Sequence, residues 1–107
     1  MGAGAGAPPA PDRGPVEVRV QNRSWSDVAI YLMSDGLVQR LGIATAVGTT
    51  SLWVSEGLLG HSNDIRLLSA PIGSNASHRT ETLLLRPGQL VQLTLENNLG
   101  LSSWGVW

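Results

Sequence analysis

Four residues of this 107-residue chain have a spacing that could do chemistry: His61 and Asp64 form an HxxD pair, and His78 and Glu81 an HxxE pair. Imidazole nitrogens and carboxylate oxygens at short spacing are ligands that a divalent metal accepts. A shared metal site would need both pairs at one place. The first pair precedes an expected strand over 65–70 and the second opens the next strand. In an up-and-down arrangement they therefore lie at opposite ends of a strand, roughly 20 Å apart at about 3.3 Å per residue. The expectation is two solvated loop histidines and no metal site.

Other chemistries fare no better. The absence of Cys excludes disulfide scaffolds, thiolate zinc sites and cysteine nucleophiles. Serines are plentiful, but no Gly-x-Ser-x-Gly elbow or strand-to-helix turn presents one as a nucleophile. The eight acids are scattered, and the GAGAGA run near the start precedes no strand–helix unit that could cradle a phosphate. Asn22-Arg23-Ser24 and Asn75-Ala76-Ser77 fit the N-glycosylation pattern, yet Asn and Ser also belong in turns. The chain is read as a non-enzyme with no cofactor.

Charge narrows the partners. The net charge is −1, and the seven basic residues are all Arg, scattered singly along the chain. No cationic stripe serves a nucleic-acid backbone, and no polybasic patch serves an anionic membrane. No apolar stretch reaches the 18 or more residues that would cross a bilayer.

Strands must position whatever these residues do. From Val16 onward, runs rich in β-branched and aliphatic residues alternate with turn signals about every 10 residues, the rhythm of an all-β sandwich or barrel. Val16–Gln21 alternates strictly, with Val16, Val18 and Val20 on the buried face. After a polar turn over 22–27, Val28–Met33 is hydrophobic on both faces, as befits a strand central to its sheet. Asp35-Gly36 predicts a type I′ hairpin into a third strand over 37–45. Further strands are expected over 49–55, 65–70, 78–86 and 90–96, with the longest loop at 56–64 and a tight turn at Pro87-Gly88.

About seven strands on short turns predict one domain over 16–107: an all-β, antiparallel two-sheet sandwich of immunoglobulin-like type, with a small closed barrel as the alternative. No Cys pair or tyrosine corner is present, so the architecture is claimed and not that family. Residues 1–15, a Gly/Ala repeat followed by Pro8, Pro9, Pro11 and Pro15, read as a flexible tail or linker. They lack the basic and apolar regions of a signal peptide. The protein is thus expected to be cytoplasmic or to have lost its signal.

The aromatic residues are four Trp, one Tyr and no Phe. Trp53, on a strand, is expected in the core. Trp25, in a polar turn, is expected at the surface, where an indole can anchor an interface or stack on a sugar. Residues 97–107 hold Leu99, Leu101, Trp104, Val106 and Trp107, too apolar to stand free in water without cost. They either fold back as an eighth strand or dock on another chain. Trp25 and these five are the candidate interface residues. Sugar recognition needs several coplanar aromatics flanked by carboxamides and acids, an arrangement the sequence does not display, so carbohydrate is not the expected partner.

The segments Val18–Ser24, Asp27–Leu32, Arg40–Gly42, Leu67–Gly73 and Pro87–Leu95 together resemble small β-sandwich domains of bacterial cell-envelope lipoproteins. The resemblance implies a sandwich fold, a cell-envelope or extracellular location, and residues 1–15 as the spacer to a lipid tether upstream. It carries no activity across. The function expected is a non-enzymatic interaction module of the bacterial cell envelope, acting by protein–protein contact. The alternative is a self-assembling subunit of an extracellular fibre or shell, with the tail or the Trp-ended C-terminus adding a strand to the next molecule.

Overall fold

The computed structural model describes residues 15–34, 36–55 and 65–107, position 101 by its backbone alone. Among the described residues, eight strands run in chain order: β1 (Val16–Asn22), β2 (Val28–Ser34), β3 (Leu37–Ala44), β4 (Gly48–Val54), β5 (Ile65–Pro71), β6 (His78–Arg79), β7 (Leu90–Leu95) and β8 (Ser103–Val106). A 3-10 turn, Leu99–Leu101, precedes β8. The first sheet has the order β4-β1-β7-β8, and the second β3-β2-β5-β6. The fold is the expected all-β sandwich.

Period-two alternation builds its core. Val16, Val18 and Val20 of β1 point inward beside Val91, Leu93 and Leu95 of β7, against Val28, Ile30 and Leu32 of β2 and Ile65 and Leu67 of β5. Aliphatic side chains fill this core without a Phe. Interdigitation of two inner faces needs no ring to reach across a gap of about 10 Å. One pairing departs from the antiparallel expectation: β1 runs parallel to β7. Parallel neighbours need a long crossover, and here all of β2–β6 lies between them.

Glycines sit where the turns require them. In Arg86-Pro87-Gly88-Gln89 the Gln89 amide donates to the Arg86 carbonyl (3.2 Å) and Gly88 has φ +84°. Proline at the second position and positive φ at the third make this a type II turn. The β2–β3 hairpin has Gly36 at φ +81°, in keeping with the predicted Asp-Gly turn, although Asp35 itself lies outside the described residues. The first loop is closed by Asn22, which is buried. Its Nδ2 donates to the carbonyls of Ser26 (2.9 Å) and Ala44 (3.1 Å), and its Oδ1 accepts from the amide and hydroxyl of Ser24.

Three expectations are corrected. The strand predicted over 78–86 is only His78–Arg79, followed by a lone bridge between Leu83 and Ile65. Thr80 is the cause: its hydroxyl accepts from the Leu67 amide (3.0 Å), and the register slips by one residue before Leu83. His78 is accordingly a half-buried strand residue and not a solvated loop one. Trp53 stands on the outer face of the first sheet, not in the core. His61 and Asp64 lie outside the described residues, as does all of the tail but Pro15.

Candidate interaction surfaces

The six candidate interface residues do not form one site. The C-terminal segment folds back as β8, pairing antiparallel with β7 from Val91↔Val106 to Thr94↔Ser103. Leu99 is buried in the core, which corrects its place among surface candidates, and Val106 packs against that core half-buried. Trp104 stands opposite Leu93 on the inward side of this edge strand and keeps 38% of its surface exposed. The side chain of Leu101 is not described. Trp107 is 68% exposed, and Trp25, in the β1–β2 loop, 79%.

Trp25 marks one end of the sandwich. Its amide donates to Asn97 Oδ1 (3.1 Å), so the loop is tied to the chain leaving β7. Beside it lies a cleft of about 440 Å³ lined by Ser26, Ser74, Ser77, Asn97, Asn98 and Leu99, among others. Hydroxyls and carboxamides share its lining with Pro71, Ala76 and Leu99. Asn98 Oδ1 caps the 3-10 turn by accepting from the Gly100 amide (3.1 Å).

The outer face of the second sheet is a different surface. Register fixes its rows: Arg40, Tyr31, Leu68 and Arg79 lie in line across β3, β2, β5 and β6. Val38, Met33 and Arg66 form the row on one side, and Ile43, Ala29 and Ala70 the row on the other. Three guanidinium groups that are far apart in sequence therefore frame one aromatic and aliphatic centre. Arg40 and Arg79 are about 14 Å apart, three strand spacings. Within the frame is a depression of about 460 Å³ lined by Met33, Leu68, Ser77 and Arg79. No acid among the described residues shares these rows.

The edge of this face is β3, whose outward Val38 is 56% exposed. The pairing of β2 with β3 slips between Ile30 and Tyr31, leaving Leu41 as an extra residue. Such a bulge twists an edge and interrupts its ladder of free backbone groups. A second strand cannot add to β3 in unbroken register.

Among the described residues, two buried side-chain atoms lack partners. Ser69 Oγ and His78 Nδ1 make no hydrogen bond, and the two residues are direct neighbours across β5 and β6. Among the described residues no three of His, Asp and Glu come together in a way that could hold a metal ion. Nor, among the described residues, is any helix long and apolar enough to cross a membrane.

The residue types at the Arg-framed face were legible in sequence; their meeting was not. Arg40, Arg66 and Arg79 read as isolated cations because only the strand order β3-β2-β5-β6 brings them together. A usable signal was present in Val28–Ser34, where Tyr31 and Met33 share the outward parity of a strand read as apolar on both faces. No protein-family model matches the chain, and no curated protein matches it by sequence. Among solved structures, the chain is similar in fold to the NMR structure of a protein from Eubacterium rectale, with a TM-score of 0.50, 14% sequence identity, and coverage of 87% of this chain and 86% of that one.

Proposed function

We propose that this protein is a non-enzymatic β-sandwich interaction module that works by protein–protein contact, with the outer face of its second sheet as the docking surface. The composition of that face carries the reading. Among the described residues its rows hold Tyr31, Met33, Leu68, Val38 and Ile43 with Arg40, Arg66 and Arg79, and no Lys, Asp or Glu. Arg, Met and aromatic residues are the types enriched at protein interfaces, while Lys, Asp and Glu are depleted there. An apolar centre supplies desolvation energy and the guanidinium frame supplies orientation.

The same charge argument selects the partner. Two copies docked through this face about a two-fold axis would bring Arg against Arg, and like charges in contact cost several kcal/mol, on the order of 2–4. The occupant is therefore another protein that offers carboxylates around an apolar anchor. A cell-envelope setting accords with the resemblance of the sequence to envelope lipoprotein domains. Light scattering over a concentration series tests the choice between a module and a self-assembling subunit. The expected result is the 11.3 kDa monomer throughout. A mass that grows with concentration would overturn the reading in favour of self-assembly.

A further inference from the structure

We infer that the outer face of the first sheet is a second, independent binding surface, and that its ligand is a neutral glycan chain. The inference goes beyond the protein contact proposed for the opposite face. Register places Trp53 of β4, Glu17 of β1 and Leu90 of β7 in one row across the sheet. Trp107 completes that row, because its amide and carbonyl exchange hydrogen bonds with Leu90 (2.8 and 3.1 Å). Two well-exposed indoles therefore end a row that spans β4 to β8, about 14 Å across. The next row is Ser51, Arg19, Gln92 and Gly105, and the third is Thr49, Gln21, Thr94 and Ser103.

The polar groups between the indoles are held in position. Glu17 Oε2 accepts from Arg19 Nε (3.1 Å) and from the Ser51 hydroxyl (3.0 Å), so a carboxylate, a guanidinium and a hydroxyl are locked together at the centre. At the edge, Gly105 has a purpose. A Cβ there would stand 2.8 and 2.9 Å from the six-membered ring of Trp107. The missing side chain lets the indole fold back over its own strand, and the rest of the ring stays open to solvent. A fixed indole loses little freedom when it binds, which favours affinity.

Two exposed indoles with an acid, a guanidinium and a carboxamide between them supply the group types that sugar recognition uses, brought onto one face by a strand order that the sequence does not display. The C–H face of a pyranose stacks on an indole, whose apolar ring and polar N–H suit a ligand of mixed character. Its hydroxyls donate to carboxylate and carboxamide oxygens and accept from guanidinium and carboxamide N–H groups. Glu17 neutralises Arg19, and no other charged residue stands in these three rows. A face whose charged side chains are paired fits a neutral glycan better than a polyanion or an acidic peptide. The twist of the sheet turns its outer strands by roughly 60–75° relative to each other. A single soluble chain can follow that turn where a flat crystalline surface cannot.

Native affinity electrophoresis of the full chain provides the test, with β-glucan, xylan, galactomannan and hydroxyethyl cellulose as neutral probes and polygalacturonate as the charged one. The expected result is retardation by at least one neutral polysaccharide and none by polygalacturonate. Trp53→Ala and Trp107→Ala should each weaken it about tenfold, while Trp25→Ala leaves it unchanged. Gly105→Ala displaces the indole without removing it and should weaken binding with an unchanged circular dichroism spectrum, which separates loss of the site from loss of the fold. Unaltered mobility with all four neutral probes would overturn the inference. So would retardation by polygalacturonate alone, co-sedimentation with microcrystalline cellulose alone, or binding that survives both Trp53→Ala and Trp107→Ala.

Discussion

Asn22 does more for this fold than any other single polar residue described. It is buried at the end of β1, and its carboxamide joins the first loop to the end of β3 through Ser24, Ser26 and Ala44. Asn22→Ala would leave several of those groups buried without partners, at about 1–3 kcal/mol each for any that water cannot reach. The expected loss is about 2–4 kcal/mol in urea unfolding, beyond the range of ordinary surface substitutions. The sequence marks Asn22 only as a turn residue, and its alternative reading as a glycosylation acceptor overlooks that its side chain is enclosed. Trp53 was open to better reading. It shares strand parity with Thr49 and Ser51, both polar, while Thr50, Leu52 and Val54 share the other. Alternation alone puts Trp53 outside, and its size is what draws it wrongly inward.

At the scale of the elements, strands were legible wherever alternation was regular, as in β1 and over Val91–Leu95 of β7. β6 was not, because Thr80 uses a side-chain oxygen where a longer strand would use backbone alone. Strand partners were legible at the β2–β3 hairpin, which Asp35-Gly36 marks, but not where they join elements far apart in sequence, as in the parallel pairing of β1 with β7. The β3–β4 connection holds a strained residue. Val47 has φ +52°, which a β-branched side chain rarely adopts, and its amide is held by the Ser24 carbonyl (3.1 Å). Val47→Asn should relieve about 1 kcal/mol of that strain and raise the melting temperature by a few degrees. β8 covers the edge of β7 and brings Val106 to the core. Removing residues 103–107 should lower the melting temperature by on the order of 10 °C and promote aggregation through the bared strand. Trp107→Ala, at an exposed position, should leave stability within about 0.5 kcal/mol.

At the scale of the whole molecule, the two sheets turn unlike faces to solvent. One is framed by arginines around aliphatic and aromatic side chains; the other is polar and neutral between two indoles. Composition could not foretell this, because a net charge of −1 and singly scattered arginines describe the average of both faces. Only the topology sorts the residues. If the Arg-framed face docks an acidic protein, contact there should be sensitive to salt, since exposed charges about 10 Å apart are screened at 0.1 M. Photo-cross-linking in cells of the source organism tests this directly, with the reactive amino acid in place of Val38 on that face and, as a control, in place of Thr49 on the other. The account predicts a discrete adduct with a different protein from position 38, diminished by salt and lost in Arg40→Glu/Arg79→Glu. No adduct from position 38, an adduct indifferent to charge reversal, or one with a second copy of the chain would contradict it.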